Sequence, residues 1–183
     1  AAVLERDGFD VQVLDAAAEN LGFDGVIKRI RAFSPAVIGA GGQTPVSVRS
    51  LTIFRRAKQE ISQDIVTIAG GPHFTFTDQE SLAECPELDV IVRGEGEETM
   101  RELAATMEKG EPLDGVKGLV FRGEGALVRT PERPVPEDID SLPFPSHGLV
   151  DVAAYLPSPT FYRRLPHANI IGARGCPYNC IFC

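Results

Sequence analysis

The stretch Asp64-Ile65-Val66-Thr67-Ile68-Ala69-Gly70-Gly71-Pro72-His73 contains the pattern on which the fold depends. Its run of apolar and β-branched residues predicts a buried strand, and the glycine pair followed by proline predicts that this strand ends in a tight turn. An apolar run followed by glycines occurs again at residues 36–42 and at residues 88–96. Residues 9–15 alternate between apolar and polar side chains, which predicts one further strand.

Amphipathic helical patterns separate the predicted strands. They lie at residues 23–33, 46–62, 77–84 and 97–109. Strands that alternate with helices are typical of a parallel sheet with helices on both faces, and right-handed crossovers make such a sheet doubly wound. The predicted fold class is therefore α/β, with a doubly wound, Rossmann-like parallel sheet.

Composition divides the rest of the chain. Residues 118–130 predict a β-hairpin that ends a first domain, which we take as residues 1–130. Residues 131–145 are rich in proline and acidic side chains, a pattern that predicts a linker, which we take as residues 131–168. We expect the apolar run at residues 142–145, together with Tyr155, to hold this linker against a neighbouring part of the protein.

The glycine-containing strand ends predict a ligand site. Carboxyl ends of parallel strands meet at one edge of a sheet, where such folds bind ligands, and glycine lets the backbone approach a ligand closely. Tight turns alone are the alternative explanation for the glycines. The candidate cofactor-binding residues are Gly41, Gly42, Gln43, Thr44, Gly70, Gly71, Pro72, His73, Gly94, Glu95 and Gly96.

Three cysteines with the spacing CxxxCxxC, Cys176, Cys180 and Cys183, form the candidate metal site. One disulfide would leave the third sulfur unpaired, whereas closed zinc sites and ordinary iron–sulfur clusters take four ligands. Three thiolates could hold three irons of a four-iron cluster and leave the fourth iron open. A zinc knuckle completed by another ligand and an electron-transfer ferredoxin are the alternatives. Cys85 is predicted to be a semi-buried residue without a ligand role.

The overall charge argues against nucleic acid as a partner. With 26 acidic against 18 basic residues and a net charge of −8, the sequence does not predict a nucleic-acid surface. It contains no apolar run of the roughly 18 residues that would span a membrane. Clustered cysteines favour a reducing compartment, so a cytoplasmic location is expected.

The run Gly175-Cys176-Pro177-Tyr178-Asn179-Cys180-Ile181-Phe182-Cys183 resembles the cluster loop of radical S-adenosylmethionine enzymes. The resemblance implies that the three cysteines bind a 4Fe-4S cluster, whose open iron chelates S-adenosylmethionine. Cleavage of S-adenosylmethionine would then give a 5′-deoxyadenosyl radical. It also implies that Phe182 lies near the adenine, that residues 169–183 begin a TIM-like barrel, and that a flavodoxin or ferredoxin donates electrons.

Residues 1 to about 110 resemble the cobalamin-binding domain that precedes many radical S-adenosylmethionine barrels. The likeness is carried by residues 4–16, by Ala69-Gly70-Gly71-Pro72-His73-Phe74-Thr75 and by Val92-Arg93-Gly94-Glu95-Gly96-Glu97. It implies that His73 supports its loop through hydrogen bonds. Gly41-Gly42-Gln43 departs from the Ser-x-Leu of other members, which implies a different pocket for the nucleotide tail of cobalamin.

Together the resemblances imply a cobalamin-dependent radical S-adenosylmethionine enzyme. Methyl transfer, cyclisation or rearrangement of a small-molecule or peptide substrate is the expected reaction. We expect this chain to be part of a longer enzyme and to be inactive alone. A cobalamin carrier or sensor without radical catalysis is one alternative. A radical enzyme whose first domain no longer binds cobalamin is the other.

Overall fold

Five strands form one mixed sheet in the computed structural model, which describes residues 1–155, 158–167, 171–176 and 178–181. They are β1 (Val37–Gly41), β2 (Val66–Gly70), β3 (Val90–Val92), β4 (Leu119–Arg122) and β5 (Leu127–Arg129), in that spatial order. The first three strands are parallel, and the hairpin of β4 and β5 continues the sheet in antiparallel pairing. The α/β, Rossmann-like fold class is confirmed, although the sheet is mixed.

Helices cover both faces of the sheet. They are α1 (Ala2–Arg6), α2 (Phe23–Phe33), α3 (Thr44–Glu60), α4 (Pro72–Phe76), α5 (Asp78–Glu84) and α6 (Glu97–Lys109). Sequence chemistry sets several of their ends. Ser34, which precedes Pro35, adopts the left-handed conformation after α2. Gly110 adopts the same conformation after α6. In the described part of the chain, no helix is both long and apolar enough to cross a membrane.

Two apolar layers hold the helices to the sheet. On one face, Phe54 of α3 and Leu82 of α5 are fully buried in a cluster that includes Ile91 of β3. On the other face, Leu103 of α6 packs in a cluster with Val90 and Val92 of β3. Alternate residues of β3 thus serve opposite layers, which explains why its sequence is apolar throughout.

The prediction of a strand at residues 9–15 is wrong. The sheet ends at β1 within the described residues, and residues 9–15 do not pair with it. Val13 is exposed, whereas a strand inside the sheet would bury it. The Asp15 carboxylate instead accepts hydrogen bonds from the backbone N–H groups of Ala17 and Ala18 and caps a turn.

The linker lies against the N-terminal segment. The Tyr155 hydroxyl donates a 2.7 Å hydrogen bond to the Asp15 carboxylate, and Arg6 donates to the Ser141 carbonyl. The expected role of Tyr155 is therefore confirmed. Phe144, in contrast, is 92% exposed, so its predicted part in holding the linker is wrong. In the predicted barrel strand, residues 171–174 are irregular, and residues 169–170 lie outside the described part of the chain.

Replacement of Phe54 by alanine tests the layer between α3 and the sheet. Phe54 is fully buried, so Phe54→Ala leaves a cavity and should lower the free energy of unfolding by about 3–5 kcal/mol. Phe144→Ala, which removes an exposed ring, serves as the matched control and should change it by less than about 0.5 kcal/mol. Urea unfolding followed by circular dichroism measures both. Equal losses in the two variants would contradict this packing.

Candidate functional site

The glycine-containing strand ends lie at one edge of the sheet. In the parallel register Gly41 stands opposite Gly70, and Gly70 stands opposite Val92, the last residue of β3. We call the following turns the first corner (residues 41–44), the second corner (residues 70–73) and the third corner (residues 94–97). The prediction that these glycines share one edge is confirmed, and ligand binding by the candidate residues stays a prediction.

Hydrogen bonds join the first and second corners. The Gly42 N–H donates to the Gly70 carbonyl at 3.2 Å, and the His73 N–H donates to the Gly42 carbonyl at 3.3 Å. The His73 ring adds a side-chain contact, since its Nδ1 lies 3.1 Å from the Thr44 hydroxyl. His73 thus supports the loop, as the resemblance implies, and the two corners form one rigid unit.

The third corner is joined to the second through Thr75. The Gly94 N–H donates to the Thr75 hydroxyl at 3.1 Å, and Thr75 belongs to α4, the helix that begins in the second corner. All three corners are therefore linked by hydrogen bonds. A ligand that lies across them would meet a continuous, preorganised surface.

Close packing between corners accounts for two of the glycines. A Cβ atom at Gly41 would lie 3.1 Å from the Gly70 carbonyl oxygen, and one at Gly71 would lie 2.9 Å from the Gly42 nitrogen. Gly71 also has φ +87°, a conformation that other residues rarely adopt. The tight-turn alternative therefore explains Gly41 and Gly71. Gly94, at φ +67°, has no atom within 4 Å of an added Cβ and opens onto free space.

A shallow cavity of about 300 Å³ lies beside the first two corners. Its lining residues are Gln43, Thr44, Pro72, His73, Phe76 and Thr77. The Phe76 ring is 86% exposed, an unusual position for so large an apolar group. Sequence reasoning missed Phe76 because it placed the helix at residues 77–84, whereas α4 already begins at Pro72. Proline directly after the glycine pair is the signal that could have located that helix start.

Two of the three cysteines of the CxxxCxxC run are described, and both are exposed. Cys176 and Cys180 are free thiols, whereas Phe182 and Cys183 lie outside the described residues. Within the described ranges, no group of three potential ligands from His, Cys, Asp and Glu is arranged to hold a metal ion. Cys85 is fully buried rather than semi-buried, and burial raises the pKa of its thiol.

The cysteine segment meets the third corner through Arg174. Its guanidinium lies 2.5 Å from the carboxylate of Glu95 and 2.5 Å from that of Glu97. The hydrogen bond from Arg174 lowers the pKa of Glu97, and the same contact raises the pKa of Arg174. Sequence reasoning gave Arg174 no role, although an arginine two residues before Cys176 could have been matched with the acidic third corner.

The fold and this edge define a class of protein. A Rossmann-like α/β domain presents linked turns at the carboxyl ends of its parallel strands, and a cysteine-rich segment lies against one of those turns. The family model for the B12 binding domain matches residues 1–104, and the chain belongs to that family. The resemblance of the first part of the chain to a cobalamin-binding domain is thereby confirmed.

Characterised and uncharacterised relatives match along the whole chain. An uncharacterized methyltransferase of Pyrococcus horikoshii is 35% identical over 182 residues, which cover 100% of this chain and 38% of the relative. An anaerobic magnesium-protoporphyrin IX monomethyl ester cyclase of Rubrivivax gelatinosus is 35% identical over 188 residues, which cover 100% of this chain and 33% of the relative. The chain thus spans only 33–38% of the length of these two relatives.

A solved structure supports the fold. The radical S-adenosylmethionine methyltransferase TsrM from Kitasatospora setae, with cobalamin and a 4Fe-4S cluster bound, superposes with a TM-score of 0.63. The match covers 77% of this chain and 26% of that protein, at 22% sequence identity. At this identity the likeness establishes the fold alone.

Replacement of Gly71 by alanine tests the packing between the first two corners. Gly71→Ala combines an unfavourable φ with a close approach to the Gly42 nitrogen, and should lower the free energy of unfolding by about 1–3 kcal/mol. Gly39→Ala in β1 is the control, because an added Cβ there meets no atom within 4 Å. Urea unfolding compares the two. Equal stability of the two variants would show that the corners can separate freely.

Proposed function

We propose that this chain is the cobalamin-binding part of a cobalamin-dependent radical S-adenosylmethionine enzyme. The observation that carries the proposal is the position of Arg174, two residues before Cys176, whose guanidinium contacts Glu95 and Glu97 of the third corner. A cofactor on this edge of the sheet and a cluster on the three cysteines would then be neighbours. Such proximity is what an enzyme that uses both groups in one reaction needs.

The edge of the sheet fits one side of a large, flat cofactor. Its cavity of about 300 Å³ is open and too small to enclose a corrin ring, so the linked corners would cover one surface of it. Phe76 offers the ring an exposed apolar contact, and Thr44 offers a hydroxyl. When bound, cobalamin supplies a carrier for a methyl group. His73, engaged with Thr44, would keep the loop in position beneath it.

The three cysteines have the right chemistry for an iron–sulfur cluster. Cys176 and Cys180 are exposed and form no disulfide, so both sulfur atoms are accessible to iron, and Cys183 would be the third ligand. When bound, the cluster supplies the electron that cleaves S-adenosylmethionine. Phe182, next to Cys183, would provide an apolar surface for the adenine.

Methyl transfer is the reaction that we favour, with cyclisation or rearrangement as alternatives. The name of one relative, a methyltransferase, supports methyl transfer, whereas that of the other, a cyclase, supports the cyclisation alternative. The substrate would be a small molecule or a peptide that is bound elsewhere in the complete enzyme. A flavodoxin or ferredoxin would supply electrons, and the free cysteines favour a cytoplasmic location.

Cobalamin binding can be measured directly on this chain. Titration with hydroxocobalamin, followed by the visible absorbance retained after ultrafiltration, should show saturable binding. Phe76→Ala removes the exposed ring of the cavity and should weaken binding about tenfold, because partial burial of a phenylalanine contributes on the order of 1–2 kcal/mol. Phe144→Ala, an equally exposed phenylalanine of the linker, should leave the affinity unchanged.

The possible outcomes separate the alternatives. Absence of binding in the folded chain would favour a first domain that has lost cobalamin. Equal weakening by Phe76→Ala and Phe144→Ala would remove the cavity from the cofactor site. Binding without any cleavage of S-adenosylmethionine by the complete protein would favour a carrier or sensor.

The cluster role is tested in the complete enzyme. Cys180→Ala should abolish the formation of 5′-deoxyadenosine from S-adenosylmethionine under anaerobic reducing conditions, because the cluster would lose a thiolate ligand. Cys85→Ala is the matched control, since this buried thiol lies in the apolar layer and should leave cleavage intact. Retained cleavage in the Cys180 variant would refute the assignment.

A further inference from the structure

Arg174 makes the contact that joins two distant parts of the sequence. Its Nη1 atom lies 2.5 Å from Glu95 Oε2, and its Nη2 atom lies 2.5 Å from Glu97 Oε1. The two nitrogens of one planar guanidinium therefore bind two different carboxylates. Charge-assisted hydrogen bonds of this kind are about twice as strong as neutral ones, and the planar guanidinium also fixes their direction.

The two glutamates are suited to this one cation. Glu95 and Glu97 form salt bridges only with Arg174 in the described part of the chain. Two carboxylates this close repel each other, and a cation between them relieves that repulsion. The Glu97 side chain is 30% exposed and that of Arg174 is 28% exposed, whereas Glu95 is 43% exposed, so water screens the pair with Glu97 less than the pair with Glu95.

The glutamate side of the contact is anchored to the sheet. Glu97 is the first residue of α6, whose Leu103 is fully buried, and Gly94 is hydrogen-bonded to Thr75. On the other side, Gly175 connects Arg174 to the cysteines with φ +75°, a left-handed turn that sets the direction of the chain. The contact therefore places the start of the cysteine segment beside the third corner.

We propose that Arg174 is a positioning residue that holds the cysteine segment against the third corner, through Glu95 and Glu97. It thereby sets the separation between a ligand on the glycine edge and a group bound by the cysteines. The tether itself stands on the geometry of this chain. Its effect on catalysis rests on the proposed function, so the two are tested separately.

Distance measurements between spin labels test the tether without any cofactor. One nitroxide is attached to Cys180 and the other to Lys109→Cys, at the exposed end of α6. Cys176→Ser and Cys183→Ser remove the competing thiols, and Cys85 is fully buried and does not react. Pulsed dipolar spectroscopy then gives the distribution of distances between the segment and the sheet.

The tethered chain should give one narrow distribution. Arg174→Gln should broaden it about twofold, because the segment then moves independently of the third corner. Arg164→Gln, which neutralises an exposed arginine of the linker, is the matched control and should not broaden it. Arg174→Glu should broaden the distribution as well. Adding Glu95→Arg and Glu97→Arg to that variant should narrow it again, a rescue that a general loss of stability would not produce.

Two results would overturn the tether. One is a distribution in the unsubstituted chain as broad as that of Arg174→Gln, and the other is equal broadening by Arg164→Gln. Neither result depends on cobalamin, iron or S-adenosylmethionine, so failure here is distinct from failure of the proposed function.

The catalytic consequence is measured in the complete enzyme. Arg174→Gln should still form 5′-deoxyadenosine, but the amount of product per S-adenosylmethionine cleaved should fall about tenfold or more, since small misplacements of reacting groups are costly. Arg164→Gln should keep the original ratio. An unchanged ratio in Arg174→Gln would show that the tether does not position the reacting groups.

Discussion

The parallel hydrogen-bonded ladder of β1, β2 and β3 is the constraint on which the rest of the structure depends. Parallel pairing in register places Gly41 opposite Gly70, so the turns after successive strands must emerge at the same edge. Everything assigned to that edge follows from this register. A shift of one residue would move Ile68 and Ala69 to the wrong faces and separate the corners.

Polar contacts at the opposite end of the sheet support the pairing of β2 with β3. The Asp89 carboxylate accepts hydrogen bonds from the Thr67 N–H and the Thr67 hydroxyl, at 2.8 and 3.0 Å. The Lys58 ammonium lies 2.8 Å from the same carboxylate and ties α3 to this end of the sheet. Because Thr67 is fully buried, these partners satisfy groups that would otherwise destabilise the core. The pairing of β2 with β3 is thus supported by polar contacts at one end, whereas the corners at the other end are left available for a ligand.

The three corners and the cysteine segment are held in place by different kinds of contact. The three corners are joined by short backbone and hydroxyl contacts, which hold them without large apolar burial. The cysteine segment is joined to them by the ion pairs of Arg174, so a contact of a few atoms relates two potential cofactor sites. A tether of this kind allows the segment to be placed accurately while its thiols stay accessible.

Local sequence patterns were enough to predict the α/β class, the three glycine-containing strand ends and the candidate metal site at the cysteines. Strand periodicity and ligand spacing are properties of residues that are close together in the chain. The strand predicted at residues 9–15 failed for the opposite reason, since a strand exists only beside a partner. Only the tertiary structure showed that Gly41 and Gly71 serve packing between corners. The atoms that an added Cβ would approach belong to Gly70 and Gly42, about thirty positions away in the chain. The tertiary structure also decided that Phe76 is exposed beside the cavity and that Arg174 meets Glu95 and Glu97, since contacts between residues nearly eighty positions apart leave no periodic signal in the chain.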